Sequence, residues 1–357
     1  MNFIFYALLF ILFPFIAQSQ IKLEKITPEL SNLWGVSVLN KEEVLFTQRV
    51  GKLFRLNVFK KEIYEVKGAP KVFNYGQGGL LDIAIEEDNN KKIIYLCFSK
   101  ITKNSESATA INSYEFQNDE LFNKKQIFVS NKSSRSSRHF GCRLAINNNY
   151  IFATIGDRGK RNDSQNLKNH SGSVIKILKS GNYYNNRAFK NSLPEIYSIG
   201  HRNPQGLTFN LDKTHLWLHE HGPQGGDELN LIVKGKNYGW PKITFGKEYG
   251  SGRTIGIGTS KVGYEDPLKV WIPSIAPSGI IIYKGSMFKE FKDKVIIGSL
   301  KFRQLHLLSL KNNIVVSEEK ILTNQIGRIR DLQEMSDGSI IIINDEFNGG
   351  VYRLYKQ

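Results

Sequence analysis

The sequence has little cysteine: Cys97 and Cys142 are the only two in 357 residues. That excludes a disulfide-dense scaffold. We read both as small buried residues on separate strands, with a bond between them left open. Long apolar runs are missing beyond the N-terminus, so no later helix is expected to span a bilayer. Sustained helical periodicity is missing too, which excludes a helical bundle. No Pro-, Gly- or Ser-rich linker divides the chain, so residues 20–357 are read as one domain.

Charge is present but not concentrated. Forty-nine basic residues stand against 33 acidic ones, a formal +16. The basic residues are scattered rather than gathered on one face, which argues against a nucleic-acid partner. A subset of the arginines remains available for an anionic ligand.

The N-terminus is distinct. Phe3 to Ile16 is almost wholly apolar, and Ala17-Gln18-Ser19 supplies small residues at a cleavage site. Residues 1–19 read as a secretory signal, although Lys and Arg are absent before the apolar run. An uncleaved anchor is the alternative, but the run is short for a span. The mature chain is expected to be periplasmic or secreted.

Short runs rich in β-branched residues fill the remainder. They include Lys91–Phe98, Tyr150–Asp157, Ser173–Leu178, His215–Glu220, Gly279–Gly285, Lys294–Leu300, Gln304–Leu310 and Ser339–Glu346. Turn residues punctuate them, as at Glu87-Asp88-Asn89-Asn90 and Ser336-Asp337-Gly338. The class is all-β. About 335 mature residues are too many for a sandwich and suit six propeller blades of about 55 residues each. Tyr352–Tyr355 reads as the strand that closes the ring. Lys100–Ala108 and Ser130–Ser137 read as long surface loops.

Five constellations carry possible chemistry. His139 precedes a strand and suits a general base. Asp157, at the end of another strand, can orient a histidine or simply form a turn. Gly200-His201-Arg202-Asn203-Pro204-Gln205-Gly206 brings an arginine and two amides into one tight loop. Glu220–Asn230 is an irregular, oxygen-rich loop that suits Ca²⁺. His219 and His221 alternate there, so a zinc reading needs a third ligand that is not evident. Arg328 and Arg330 alternate as well. On one strand face, with Lys301, they would make a pocket for a multiply charged anion, or else a surface ladder with Asp331 and Glu334.

Taken in order, QGGLLD (Gln77–Asp82), HFGCRL, GDRG, GHRNPQG, EHGPQGGDELNLI, KNYGWP, PSIAPSG, GSLK and GRIRD resemble the soluble aldose dehydrogenases dependent on pyrroloquinoline quinone (PQQ), of the glucose/sorbosone dehydrogenase family. The resemblance covers nearly all of the mature chain. It implies a six-bladed β-propeller of four-stranded antiparallel blades, with PQQ over the central channel. It implies His139 as the base, Asp157 as its orienter and Arg202 as the stabiliser of charge on the quinone oxygen. Gln77, Arg202, Asn203, Ser274, Lys301, Arg328 and Arg330 match cofactor contacts. One Ca²⁺ would take the carbonyls of Gly222 and Pro223, and a second would take Glu228 and the Tyr238 carbonyl. Zinc is thereby set aside. The substrate would be an aldose and the electron acceptor an external one, with the protein a monomer or homodimer. A non-catalytic propeller that binds a glycan or protein, and a Ca²⁺-dependent lactonase, are the competing readings. Cys142 departs from a position usually small and polar, and as a free thiol it would be reactive toward a quinone. Ser274 stands where some relatives have threonine.

Overall fold

A computed structural model describes residues 20–182 and 187–357. The secretory segment read at residues 1–19 lies outside them. The described chain forms six four-stranded antiparallel sheets, five of them running in sequence order from an inner to an outer strand. The first complete blade holds β2–β5 (Leu33–Val38, Glu43–Gln48, Lys52–Asn57, Glu62–Val66). The second holds β6–β9 (Leu80–Asp88, Lys91–Ile101, Ser107–Gln117, Glu120–Val129). The third holds β10–β13 (Gly141–Asn147, Tyr150–Ile155, Ser173–Leu178, Ile196–Ile199), and the fourth β14–β17 (Pro204–Phe209, Leu216–Glu220, Asp227–Ile232, Lys269–Trp271). The fifth holds β18–β21 (Pro277–Ile282, Val295–Ser299, Gln304–Lys311, Ile314–Ile321). The last blade joins β22–β24 (Ile329–Glu334, Ile340–Asn344, Val351–Lys356) to β1 (Ile21–Lys25), which pairs antiparallel with β24. The C-terminal strand therefore closes the ring, as its sequence suggests.

Alternation explains the packing. The second strand of each blade is buried on both faces, as in Ile340–Asn344, while outer strands such as β21 are largely exposed. Apolar clusters fill the spaces between successive blades, for example Leu45, Leu53, Leu80 and Leu96 between the first and second. The run Lys100–Ala108 is a tight strand-to-strand connection of five residues rather than a long loop. β7 and β8 pair out to Ile101 and Ser107, and Asn104 and Ser105 make the turn at positive φ.

The cysteines correct the preferred reading. They lie on separate strands, β7 and β10, and both are buried, but they are bonded (S–S 2.07 Å, Cα–Cα 5.7 Å). Cys142 has φ +73°, in a stretch where β10 slips against β11, and it faces the neighbouring blade. The bridge leaves no free thiol to react with a quinone. It closes a loop of 45 residues, so reduction should lower stability by roughly 3–4 kcal/mol. Melting with and without a reductant measures this, and an unchanged midpoint after complete reduction would contradict it.

Every inner strand slips in register against its neighbour at the same level. The slips fall between Leu33 and Val36, Leu80 and Ile83, Gly141 and Leu144, Pro204 and Gly206, Pro277 and Ile280, and Ile329 and Asp331. Such bulges re-aim side chains. Here they bring Trp34, Asp82, Arg143, Gln205, Arg330 and Asp331 together where the inner strands converge. Arg143 pairs with Asp82 (3.1 Å) and Asp331 (3.0 Å) and stacks on Trp34 at 4.1 Å. It also donates to the carbonyls of Gln205 (2.7 Å) and Arg330 (3.0 Å). Space is tight: a Cβ on Gly279 would lie 2.4 Å from Asp331 Oδ1.

Candidate active site

The loops that enter the inner strands, and those that join second to third strands, lie on one face of the ring. They supply Gln77, His139, Arg202 and Asn203, Gly222–Asp227, Ser274, Lys301 and Arg328. These residues line two adjoining cavities of about 590 and 300 Å³, which share Gln77, Asn203, His221 and Ala276. Lys301, Arg202 and His139 line the larger; Arg328 and Arg330 line the smaller, with Arg49. Residues scattered over about 250 positions of sequence thus meet in one place, because each blade contributes its loops to the same mouth.

His139 sits at the head of β10 with φ +58°, a conformation uncommon for a side chain of this size. Its backbone N–H donates to Gln77 Oε1 (2.8 Å). Its Nδ1 lies 2.6 Å from Asp157 Oδ1. The same carboxylate accepts the Gly159 N–H (2.7 Å) and Trp240 Nε1–H (2.9 Å). Asp157 is therefore an acceptor on every side, so Nδ1 carries the proton and Nε2 keeps a lone pair. Burial lowers the His139 pKa from its ordinary value; the Asp157 hydrogen bond opposes this, and the charge of Arg202 adds to it. The net shift favours the neutral ring. For Asp157 burial pulls upward, but the His139 hydrogen bond and charge and the Gly159 N–H outweigh it, and its pKa is lowered.

Arg202 is joined to this dyad, since its carbonyl accepts the Asp157 N–H (2.8 Å). Its own N–H donates to Glu220 Oε2 (2.6 Å). Nη1 donates to the carbonyls of His221 (3.0 Å) and Gly222 (2.7 Å), and the guanidinium lies 5.4 Å from the Trp240 ring centroid. Asp227 fastens the loop below, accepting from Gly222 N–H (2.9 Å) and Ala276 N–H (2.7 Å). Asn203 Oδ1 accepts from Gln205 Nε2 (3.2 Å) at the junction of the two cavities.

The basic pair differs from a surface ladder. Arg330 is buried and donates from Nη2 to Gln205 Oε1 (2.9 Å), lying 4.4 Å from the Trp34 centroid. Asp331 turns instead to Arg143, and Glu334 accepts the Lys284 N–H (2.7 Å). Burial lowers Arg330 to about 9; Asp345 opposes this while Arg143 and Arg49 add to it. Arg328 is only 3.9 Å from Asp345. The Nε atoms of Arg330 and Arg49 and the Ser274 hydroxyl are buried without a hydrogen-bond partner. Buried donors left unmet are costly, so a cavity lined by them suits a polyanion.

A smaller chamber lies beneath, lined by Glu220, Glu228, Tyr238, Trp240 and Thr244. Glu220 and Glu228 are directly opposed across β15 and β16. Like charges so placed repel. Burial, and then Glu220, lift the Glu228 pKa well above its ordinary value. Asn230 Oδ1 nearby has no partner. The oxygen-rich wall fits a hard cation. The histidines of this region are supports. His201 bridges Glu220 (2.8 Å) and Ser198 (2.9 Å), and His221 Nε2 donates to the Pro277 carbonyl (2.7 Å). His219 packs on Gly206, and both its ring nitrogens lack partners. No cluster of three or more His, Cys, Asp or Glu suited to a metal occurs among the described residues.

Trp34, Arg143 and Trp240 are parts of the site that the sequence motifs do not single out. HFGCRL and KNYGWP contain two of them, but only the fold shows what they touch.

Six bulged blades around a buried His–Asp dyad and a cation-lined mouth define a propeller dehydrogenase that acts on sugar CH–OH groups. Residues 30–353 match the family Glucose / Sorbosone dehydrogenase, and the chain belongs to it. It is similar to Aldose sugar dehydrogenase YliI of Escherichia coli, at 31% identity over 95% of this chain and 94% of that one. The crystal structure of the soluble aldose sugar dehydrogenase from Escherichia coli in its apo-form superimposes with TM-score 0.90. That match has 31% identity and covers 95% of this chain and all of the other. Quinoprotein glucose dehydrogenase B of Acinetobacter calcoaceticus is 28% identical over 71% of this chain and 57% of its own length.

Proposed function

We propose that the protein oxidises the anomeric CH–OH of an aldose to the lactone, using PQQ and Ca²⁺. The observation that carries this reading is His139, held by Asp157 at 2.6 Å and opening on a cavity lined by cations. When bound, PQQ supplies the acceptor for the hydride that leaves the anomeric carbon. His139 Nε2 takes the proton of the anomeric hydroxyl, and Asp157 keeps Nδ1–H in place and stabilises the imidazolium that forms. Lys301, Arg328 and Arg330 would hold the cofactor's carboxylates, with Gln77, Asn203 and Ser274 as neutral contacts. Arg202 would offer positive charge to a quinone oxygen that gains electron density.

The carbonyls of Gly222 and Pro223 are the proposed catalytic Ca²⁺ ligands. The Gly222 carbonyl accepts from Arg202 Nη1 (2.7 Å), so an ion there would share that oxygen with the guanidinium. Glu228 and Tyr238 would hold a structural ion, which would relieve the repulsion between Glu228 and Glu220. Residues 1–19 are proposed to direct export and to be removed, which would place the enzyme in the periplasm or outside the cell. The electrons then pass to an external acceptor.

Titration with PQQ followed by absorbance, and then an aldose panel with an artificial electron acceptor in Ca²⁺, tests the reading. Saturable PQQ binding with aldose-dependent reduction is expected, together with a lower melting temperature after chelation. Proven PQQ binding with no reduction across a broad panel would overturn it.

A further inference from the structure

One cation of the larger cavity has no task in that scheme. Arg138 lines the cavity beside His139, Arg202 and Lys301, and it is exposed at the mouth. Its guanidinium has no carboxylate or carbonyl partner among the described residues. The backbone that carries it is nevertheless fixed. Buried Arg158 donates to the carbonyls of Arg138 (2.8 Å) and Ser136 (2.8 Å) and to the Ser107 hydroxyl (2.9 Å). The Arg158 guanidinium lies 3.5 Å from the Phe140 ring centroid. On its other side Arg138 runs over Gly159, where an added Cβ would sit 3.5 Å from Nε. Gly159 is the residue whose N–H holds Asp157. An unpaired charge on a fixed backbone therefore stands beside the proton-transfer dyad.

The charge balance of the cavity points the same way. Six cationic side chains line the joined space: Arg49, Arg138, Arg202, Lys301, Arg328 and Arg330. They face two carboxylates, Asp227 and Asp345. A tricarboxylate cofactor leaves the space positive, and a bound Ca²⁺ would make it more so. Tyr249 stands at the same mouth, 67% exposed, on a loop tied by Glu248 to Arg161 (2.5 Å). Its flat apolar face suits the C–H face of a sugar ring, with the hydroxyl left in water.

The geometry points to a substrate subsite, formed by Arg138 and Tyr249, for an aldose that bears an anionic group away from its anomeric carbon. A planar guanidinium serves carboxylate and phosphate alike. This subsite rests on the proposed aldose oxidation at the same cavity, and it adds the class of sugar preferred.

The test compares glucose, glucuronate and glucose 6-phosphate as substrates of the PQQ-loaded protein in Ca²⁺. It also measures the melting shift each sugar produces without an electron acceptor. At least one anionic sugar should exceed glucose in kcat/KM by about 10- to 100-fold, chiefly through KM, and less so in high salt. Preference for glucuronate alone identifies a carboxylate subsite, and preference for the phosphate alone identifies a phosphoryl one. Arg138→Gln should cut the preference at least about tenfold and abolish the anion's melting shift, while Arg138→Lys should keep part of both. Oxidation of glucose with no anionic preference, or a preference untouched by Arg138→Gln, would overturn the subsite and leave the oxidation standing. No oxidation of any sugar, with an anion-specific melting shift that Arg138→Gln removes, would do the reverse.

Discussion

Replacing His139 with Gln should lower turnover about 10³- to 10⁴-fold and leave PQQ affinity within a few-fold of the parent. The glutamine fills similar space but has no lone pair basic enough to take the anomeric proton. The proposed cofactor contacts lie on other loops, so absorbance titration should still reach saturation. A variant that loses PQQ binding in step with activity would show His139 to be a structural post instead. The pH profile is an independent check. Burial holds the His139 pKa below its ordinary value, and the base works only when neutral. Activity should therefore be lost as pH falls through a midpoint below about 6.5. Asp157→Asn should also be slow, because an amide can present the wrong partner to Nδ1. Trp240→Phe removes one donor to Asp157 and should cost less.

Replacing Arg143 with Met should destabilise the fold by about 3–5 kcal/mol, the second large effect. Methionine matches much of the volume, but Asp82 and Asp331 would be left buried together with no cation between them. Burial already raises the pKa of both; Arg143 opposes it. A carboxylate with a raised folded pKa adds stability at low pH and loses it as pH rises through that value. The deficit of the variant should thus be larger at pH 8 than at pH 5, as measured by urea unfolding. Converting both aspartates to Asn in the Arg143→Met background should recover part of the loss. A deficit that does not vary with pH, and is not relieved by the triple substitution, would assign the effect to packing on Trp34 alone.

Much of the architecture was legible because it is local. Alternating β-branched runs such as Ser173–Leu178 became strands with those bounds, and Asn-rich turns supplied the positive φ angles between them. The site loops were legible as motifs, and the structure brings Gln77, His139, Asp157, Arg202, Lys301, Arg328 and Arg330 to one face. What escaped reading is contact across blades. Arg143 meets the Arg330 carbonyl 187 residues away, and Trp240 meets Asp157 across 83. The Cys97–Cys142 bond escaped for the same reason, since no pattern within either strand reports which neighbour it faces. The repeat of the blades is a geometric one. Each blade repeats a bulge at one level, but fills it with Trp-Gly, Leu-Asp, Cys-Arg, Gln, Ser-Gly or Arg, according to what the axis needs.

The pairing of β1 with β24 places the first and last described strands side by side within one blade. The seam of the circle is thus an antiparallel ladder rather than a face-to-face apolar contact between blades. Unzipping from either end must break backbone hydrogen bonds before any blade can swing away. During synthesis β1 must wait, unpaired, for nearly the whole chain to follow it. The nascent protein therefore passes through a stage in which five blades can form while the sixth lacks its edge. A chain stalled at that stage offers β1, rich in Lys and Glu (Lys22, Glu24, Lys25), as its exposed strand. Those charges disfavour pairing with another copy until its own C-terminus arrives.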